Sequence, residues 1–148
     1  MRSSPMSSQA DLEPELRARA ARLCGGPIVA LEPAASGGNN RVFRVRTAAA
    51  TFALKRYRIS PDDPRDRLGA ELAGLGYAGA VAPGSVPAIV GADREAGLGL
   101  YEWIEGDPVG AGGPAEVDAA LALVGALHAG RPRDAQRALP IASEAILG

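Results

Sequence analysis

The sequence predicts an α+β domain built on a single antiparallel sheet of five strands. Three observations favour this class. Runs of alternating apolar and polar residues follow one another in pairs, as in β-hairpins, and apolar residues three and four positions apart mark three helices. The elements follow in the order helix, three strands, helix, two strands, connector and helix, so strands that neighbour in sequence can pair directly.

The N-terminal part of the chain is predicted to form a helix and three strands. Apolar residues at four- and three-residue steps predict a helix from Asp11 to the glycines Gly25 and Gly26, which end it. A short strand, PIVALEP, follows and is bounded by Pro27 and Pro33. The runs RVFRVRT and TFALKRYRI are typical of two hairpin strands, with three alanines between them.

The remaining elements alternate helix and hairpin. A second helix is predicted to begin at Ser60–Asp63, where a capping serine precedes a proline and two acids near the positive end of the helix dipole. The runs VPAIVGA and LGLYEWIEG predict a hairpin around the charged turn DREAG. Pro114–Ala129 carries an apolar stripe at helical spacing and predicts a third helix.

Composition excludes several classes of function. The 148 residues carry a net charge of −1 and 4% aromatic residues, which argues against nucleic acid or an anionic membrane as a partner. One cysteine, Cys24, and one histidine, His128, cannot build a disulfide framework or a zinc site; we expect a small buried hydrophobe and an ordinary helix-end histidine. The longest apolar stretch, Ala119–Leu127, is far short of the ~20 residues of a membrane span, and we expect a cytoplasmic protein.

The stretch SGGNNRVFRVRTAAATFALK, residues 36–55, raises a question about phosphate binding. Taken alone, its glycines and asparagines are typical of an ordinary turn, and Lys55 of a solvated charge at a strand end. The arrangement favours a more specific role, since a glycine turn joins two strands, a lysine lies on the next strand, and Glu71 follows on a helix. Glu71 lies at the edge of that helix's apolar stripe, where a carboxylate could face the sheet and direct a lysine toward phosphate oxygens.

This order of parts resembles the N-terminal lobe of the protein-kinase-like superfamily. It is most similar to the branch of aminoglycoside phosphotransferases and choline kinases. The residues that carry the resemblance are Ser36–Arg46 (SGGNNRVFRVR), Thr51–Tyr57 (TFALKRY), Glu71, Leu100–Val109 (LYEWIEGDPV) and Ala126–Ala129 (ALHA).

The resemblance implies an ATP site and assigns residues to it. Lys55 would contact the α- and β-phosphates, and Glu71, on a flanking helix of the αC type, would orient Lys55. The loop over the triphosphate would be formed by Gly37, Gly38, Asn39 and Asn40. The adenine would bind the backbone of Glu102, Trp103 and Ile104, between apolar walls from Ile28, Val45 and Ala53.

The resemblance also implies a division of the chain. Residues 1–9 would be a disordered tail, 10–104 the nucleotide-binding lobe, 105–113 a connector, and 114–148 the start of a helical second lobe. A kinase of this branch transfers the γ-phosphate of ATP to a hydroxyl group, using an H-x-D-x-x-x-x-N segment and a later aspartate. Neither is found in this sequence, where His128 is followed by Ala129 and Gly130.

We therefore expect a truncated chain that is catalytically incompetent by itself. It has no catalytic residues and no metal ligands, and Mg²⁺ and a small-molecule acceptor would need the missing lobe. The helix Pro114–Ala129 would expose its apolar stripe and could mediate self-association. Two other interpretations stay open: a non-catalytic kinase-like remnant that binds nucleotide or a partner, and an unrelated α+β domain in which Lys55 and Glu71 form a surface pair.

Overall fold

The computed structural model describes residues 9–37, 40–61, 63, 65–107, 109–130 and 139. The elements, in chain order, are α1 (Gln9–Cys24), β1 (Ile28–Gly37), β2 (Asn40–Thr47), β3 (Thr51–Tyr57), α2 (Arg67–Val81), β4 (Ile89–Asp93), β5 (Leu98–Glu102) and α3 (Pro114–Ala129). The strands form one five-stranded sheet in the order β1-β2-β3-β5-β4. The predicted α+β class with an antiparallel sheet is confirmed. Of the predicted tail, residues 1–9, Gln9 belongs to α1, so the prediction is wrong for that residue. Residues 1–8, 131–138 and 140–148 lie outside the described residues.

The chain divides into two compact units. The first contains residues 1–58 and 90–101, and the second contains residues 59–89 and 102–148. The first unit therefore holds α1, β1 to β3 and most of the β4–β5 hairpin. The second holds α2, α3 and the segment that follows β5. The lobe boundaries implied by the family resemblance stay a prediction.

The core of the first unit lies between α1 and one face of the sheet. Leu16 and Ala20 of α1 pack with buried side chains from four strands: Ile28, Val45, Leu54, Leu98 and Leu100. Leu54 and Leu100 are 0% exposed. Burying one such leucine contributes about 1.5–3 kcal/mol, so this layer holds α1 on the sheet.

An ion pair ties α1 to the β4–β5 hairpin. Arg19 donates to the Asp93 carboxylate at 2.8 Å and to Glu15, one turn back on the helix, at 3.0 Å. Asp93 also accepts from the backbone N–H of Ala96 at 3.1 Å. These contacts, with Arg19 first, hold the pKa of Asp93 below its ordinary value.

Strand β1 is longer than the sequence predicted. It continues through Pro33 to Gly37, with irregular register beside Ile28 and beside Pro33. Pro33 has no N–H to give to a neighbouring strand, but β1 is an edge strand, where that loss is tolerated. The prediction that Pro33 ends the strand is therefore wrong.

The three-alanine connection between β2 and β3 is a tight turn fixed by Thr47. The Thr47 hydroxyl oxygen accepts from the N–H of Ala50 at 3.0 Å and of Ala49 at 3.3 Å. The backbone N–H of Thr47 donates to the Ala50 carbonyl at 2.9 Å. A threonine hydroxyl thus supplies the turn contacts that the alanine side chains lack.

In the second unit, α2 begins at Arg67 and not near Ser60 as predicted. Asp66 is the N-cap, and its carboxylate accepts from the N–H of Gly69 at 2.7 Å. Asp63 instead binds Arg65 and Arg67, at 2.6 and 2.9 Å, and these contacts, Arg65 first, hold its pKa well below the ordinary range. The next residue in the sequence is Pro64, which disfavours helical backbone at Asp63 and explains the later start.

Helix α3 packs on α2 at its C-terminal end. The Tyr77 hydroxyl of α2 donates to the carbonyl of Leu127 at 2.6 Å. Further along α3 the apolar side chains face outward: Val117 is 54%, Leu121 63% and Val124 50% exposed. The predicted exposed stripe is confirmed, and self-association through it stays a prediction. None of the helices in the described part of the chain is long and apolar enough to cross a membrane.

Candidate functional site

The register of the β2–β3 hairpin separates its side chains onto two faces. Val42 is the cross-strand partner of Lys55, whereas Phe43 is the cross-strand partner of Leu54. Because side chains alternate along a strand, Lys55, Ala53 and Val42 share one face. We call this the lysine face. The other, which carries Leu54 and packs against α1, is the helix face.

Two of the predicted apolar walls lie on the wrong face. Val45 is 0% exposed. Both Val45 and Ile28 belong to the core on the helix face, which is not the face that carries Lys55. They cannot line a base bound beside Lys55, so that prediction is wrong for both. Ala53 does share the lysine face, and so does Val42. Val42 is found only from the register of the β2–β3 hairpin, in which even-numbered residues of β2 pair with odd-numbered residues of β3.

Lys55 is half-buried on a central strand of the sheet. Its ammonium nitrogen lies 5.0 Å from the centroid of the Tyr57 ring. An aromatic face attracts a cation at such a distance, so the contact favours one direction for a flexible side chain. Lys55 is also the only lysine among the 16 lysine and arginine residues of the chain. That usage, readable from the sequence, weakens the interpretation as an ordinary solvated charge.

Tyr57 is paired with Tyr101 of the neighbouring strand β5. Both side chains are 4% exposed, and their hydroxyl groups share a hydrogen bond of 3.0 Å. The backbone N–H of Tyr57 donates to the carbonyl of Gly97 at 2.8 Å. Sequence reasoning missed this pair, because the two residues are 44 positions apart and meet only through the strand order.

The predicted phosphate loop follows the end of β1. Gly37 pairs with Asn40 at the ends of β1 and β2, and Asn40 in turn pairs with Tyr57 of β3. The loop therefore connects to the same end of β3 as Tyr57. Gly38 and Asn39 lie outside the described residues. The loop's role over a triphosphate stays a prediction.

Glu71 lies in the second unit, on α2, where it is half-buried. This agrees with its predicted location at the edge of the apolar stripe. Its pairing with Lys55 stays a prediction.

The predicted adenine segment follows β5. Glu102 donates its N–H to the carbonyl of Ala88 at 2.9 Å and accepts the Ala88 N–H on its carboxylate at 3.1 Å. The Glu102 N–H is therefore occupied. Trp103 is half-buried and Ile104 is 58% exposed, and within the described ranges Ile104 forms no backbone hydrogen bond.

The single cysteine and histidine lie apart from these residues. Cys24 packs against the α1 core, where burial raises the pKa of its thiol, and His128 is exposed at the end of α3. In the part of the chain that the structure describes, no three histidine, cysteine, aspartate or glutamate side chains are grouped to hold a metal ion.

Comparisons with known proteins agree with this architecture. A model of the phosphotransferase enzyme family matches residues 30–143. A crystal structure from Thermobifida fusca, described as a fructosamine-3-kinase, aligns with 64% of this chain at 23% sequence identity and a TM-score of 0.51. The chain spans about a third of that structure's length (33%), and at this identity the likeness concerns the fold alone. A search of curated proteins gave no match. Because the family model matches well over half of its residues, the chain belongs to the phosphotransferase enzyme family.

Proposed function

We propose that this chain is the N-terminal part, with the ATP-binding lobe and the start of the second lobe, of a kinase that phosphorylates a hydroxyl group of a small molecule. The observation that carries the proposal is the placement of Lys55. The only lysine of the chain lies on a central strand, on the face opposite the α1 core, with its ammonium held over an aromatic ring. A directed point charge of this kind suits phosphate oxygens.

The residues present fit an adenine nucleotide. Lys55 would hold the α- and β-phosphates, with Glu71 as its orienting carboxylate, and Gly37 to Asn40 would cover the triphosphate. Backbone groups of Glu102 to Ile104 would meet the adenine edge, and the 58% exposure of Ile104 supports this. The nucleotide supplies the transferable phosphoryl group. A cytoplasmic location belongs to the same proposal.

Binding can be measured with the only tryptophan of the chain, Trp103, which lies in the proposed adenine segment. Energy transfer from Trp103 to an N-methylanthraniloyl derivative of ATP should saturate, and unlabelled ATP should compete. Lys55→Ala should weaken ATP binding about 10- to 100-fold, since hydrogen bonds to charged groups are worth about 1.5–3 kcal/mol. The matched control is Arg56→Ala, which removes a cation from the next residue of β3, on the helix face.

The control should change the dissociation constant by no more than about two-fold, because the Arg56 side chain lies on the other face of the sheet from Lys55 and a distant charge is screened at physiological salt. Equal affinities of the wild type and Lys55→Ala for ATP would refute the proposed role of Lys55. Equal losses of ATP affinity in Lys55→Ala and Arg56→Ala would show that Lys55 acts only through the overall positive charge of the chain.

We further propose that residues 1–148 do not transfer phosphate by themselves. The support is the sequence, which has no H-x-D-x-x-x-x-N segment to position an acceptor hydroxyl and bind magnesium. A coupled assay for ADP release should give the same rate for the wild type and for Lys55→Ala. A rate that depends on Lys55 would show that the chain is active and overturn this part of the proposal.

A further inference from the structure

We propose that Tyr57 is a positioning residue for Lys55, and that Tyr101 holds Tyr57 in place. The inference rests on the proposed function, since the lysine is positioned for a nucleotide phosphate. It concerns two residues to which neither the sequence motifs nor the family comparison gave a role.

The Lys55 ammonium contacts the Tyr57 ring. The two residues are two positions apart on β3, so their side chains stand next to each other on the lysine face. The ammonium lies 5.0 Å from the ring centroid, within the range of cation–π attraction. A lysine side chain has four rotatable bonds, and this contact restricts the directions it samples.

The Tyr57 ring is itself fixed in position. It is 4% exposed, and its hydroxyl is bonded to the Tyr101 hydroxyl at 3.0 Å. Tyr101 lies over Gly99 so closely that a Cβ at Gly99 would lie 2.6 Å from the ring carbon Cζ. The absence of a side chain at Gly99 thus makes room for the Tyr101 ring. A ring anchored through the neighbouring strand is a firmer platform than an exposed tyrosine.

The consequence is preorganisation. A lysine whose side chain already points toward the phosphate site loses less conformational entropy when a phosphate binds. A larger part of the interaction free energy therefore contributes to affinity. The effect of Tyr57 should therefore appear for ligands that carry an α- or β-phosphate. It should be absent for adenosine, which gives Lys55 nothing to bind. A tyrosine that only fills the core would affect both ligands alike.

The first measurement needs no nucleotide. Because Lys55 is the only lysine, a chain labelled with ¹³C-lysine gives a single set of lysine side-chain signals. The Cε protons of Lys55 should be shifted upfield by the Tyr57 ring current. Tyr57→Phe, which keeps the ring but loses its hydrogen bond to Tyr101, should reduce the shift, and Tyr57→Leu should abolish it. Tyr101→Phe, which loses the anchoring hydroxyl, should reduce it, whereas Tyr77→Leu, a tyrosine of the second unit, should leave it unchanged.

The second measurement compares ADP with adenosine by calorimetry. Tyr57→Leu should weaken ADP binding about 3- to 30-fold, the range that corresponds to a cation–π contact between exposed and desolvated limits. Adenosine binding should stay within about two-fold, and Tyr57→Phe, which keeps the ring but loses the hydrogen bond to Tyr101, should lose less ADP affinity than Tyr57→Leu. The amide spectrum of each variant shows that it is folded, and the two phenylalanine variants preserve packing if Tyr57→Leu does not fold.

The outcomes separate the two proposals. A Lys55 signal without a ring-current shift, or equal losses of ADP and adenosine affinity in Tyr57→Leu, would overturn the positioning role. A ring-current shift that responds to Tyr57 and Tyr101, in a wild-type chain that binds no ADP, would support the placement of Lys55 and refute the nucleotide function instead.

Discussion

Gly99 of β5 lies under the Tyr101 ring, and replacing it by alanine tests the packing of the lysine face. A Cβ at Gly99 would overlap the Tyr101 hydroxyl and lie 2.6 Å from Cζ and 2.7 Å from Cε2. Carbon atoms in normal contact are about 3.5–4.0 Å apart. Tyr101 is 4% exposed and cannot swing into solvent at no cost, so the ring must leave its rotamer or the strand must shift.

The expected cost has two parts. Overpacking of a buried site typically costs about 1–3 kcal/mol. Displacing the ring also breaks the Tyr57–Tyr101 hydroxyl pair, worth about 1 kcal/mol. Gly99→Ala should therefore lower the free energy of unfolding by about 2–4 kcal/mol, equivalent to a fall in Tm of about 5–15 °C for a chain of this size.

The assay is urea unfolding followed by far-UV circular dichroism. The matched control is Gly91→Ala on β4, in the same unit, where the added Cβ would meet Leu23 Cδ2 at an ordinary 3.4 Å. That control should change stability by no more than about 0.5 kcal/mol. In a Tyr101→Ala background, which has no ring to overlap, Gly99→Ala should cost little, as a double-mutant cycle would show.

The predicted overlap at Gly99 fails as an explanation if Gly99→Ala is as stable as the wild type, or if Gly91→Ala destabilises the fold equally. It also fails if the penalty persists in the Tyr101→Ala background, because the overlap would then not be its cause.

Three further predictions follow from other parts of the chain. Gly76→Ala in α2, where a Cβ meets nothing within 4 Å and φ is not positive, should raise the free energy of unfolding by about 1 kcal/mol; a lower Tm would contradict it. Since Arg19 lowers the pKa of Asp93, their pair stabilises the fold above the ordinary aspartate pKa of about 4 and is lost as pH falls through the lower folded-state pKa. Urea midpoints from about pH 6 to pH 3 should therefore fall less steeply in Arg19→Gln than in the wild type, and parallel curves would count against the pair. Leu121→Glu on the exposed stripe of α3 should weaken self-association at least about ten-fold in sedimentation velocity, whereas a wild type that stays monomeric at every concentration would exclude it.

Local patterns predicted most of the elements. The bounds of α3 agree with the sequence prediction, and the strands β2, β3 and β5 follow the alternating runs that predicted them. Periodicity predicts these helices and strands because the direction of each side chain depends on the local backbone geometry. The start of α2 was missed because Pro64 and the ion pairs of Asp63 override the apparent cap at Ser60. The length of β1 was missed because the edge position that tolerates Pro33 depends on strand order.

The candidate site was predicted in part, for the same reason. The alternation around Lys55 placed Ala53 on its face correctly, whereas Val45 was misplaced because the register of the β2–β3 hairpin, which pairs Val45 with Phe52, does not follow from alternation along one strand. The glycine loop, Glu71 and the segment after β5 were named from their order along the chain. Their roles await the nucleotide measurements.

The sequence by itself determined the α+β class, the strand that carries Lys55 and the order of parts by which the family is known. These depend on local periodicity and on residue order, both of which can be read directly from the sequence. Tertiary structure decided that α1 covers the face opposite Lys55 and that Tyr57 meets Tyr101. Both contacts join residues distant in sequence. Tyr57 meets Tyr101 because β5 lies beside β3, and this strand order is decided by the packing of the whole sheet rather than by any local pattern.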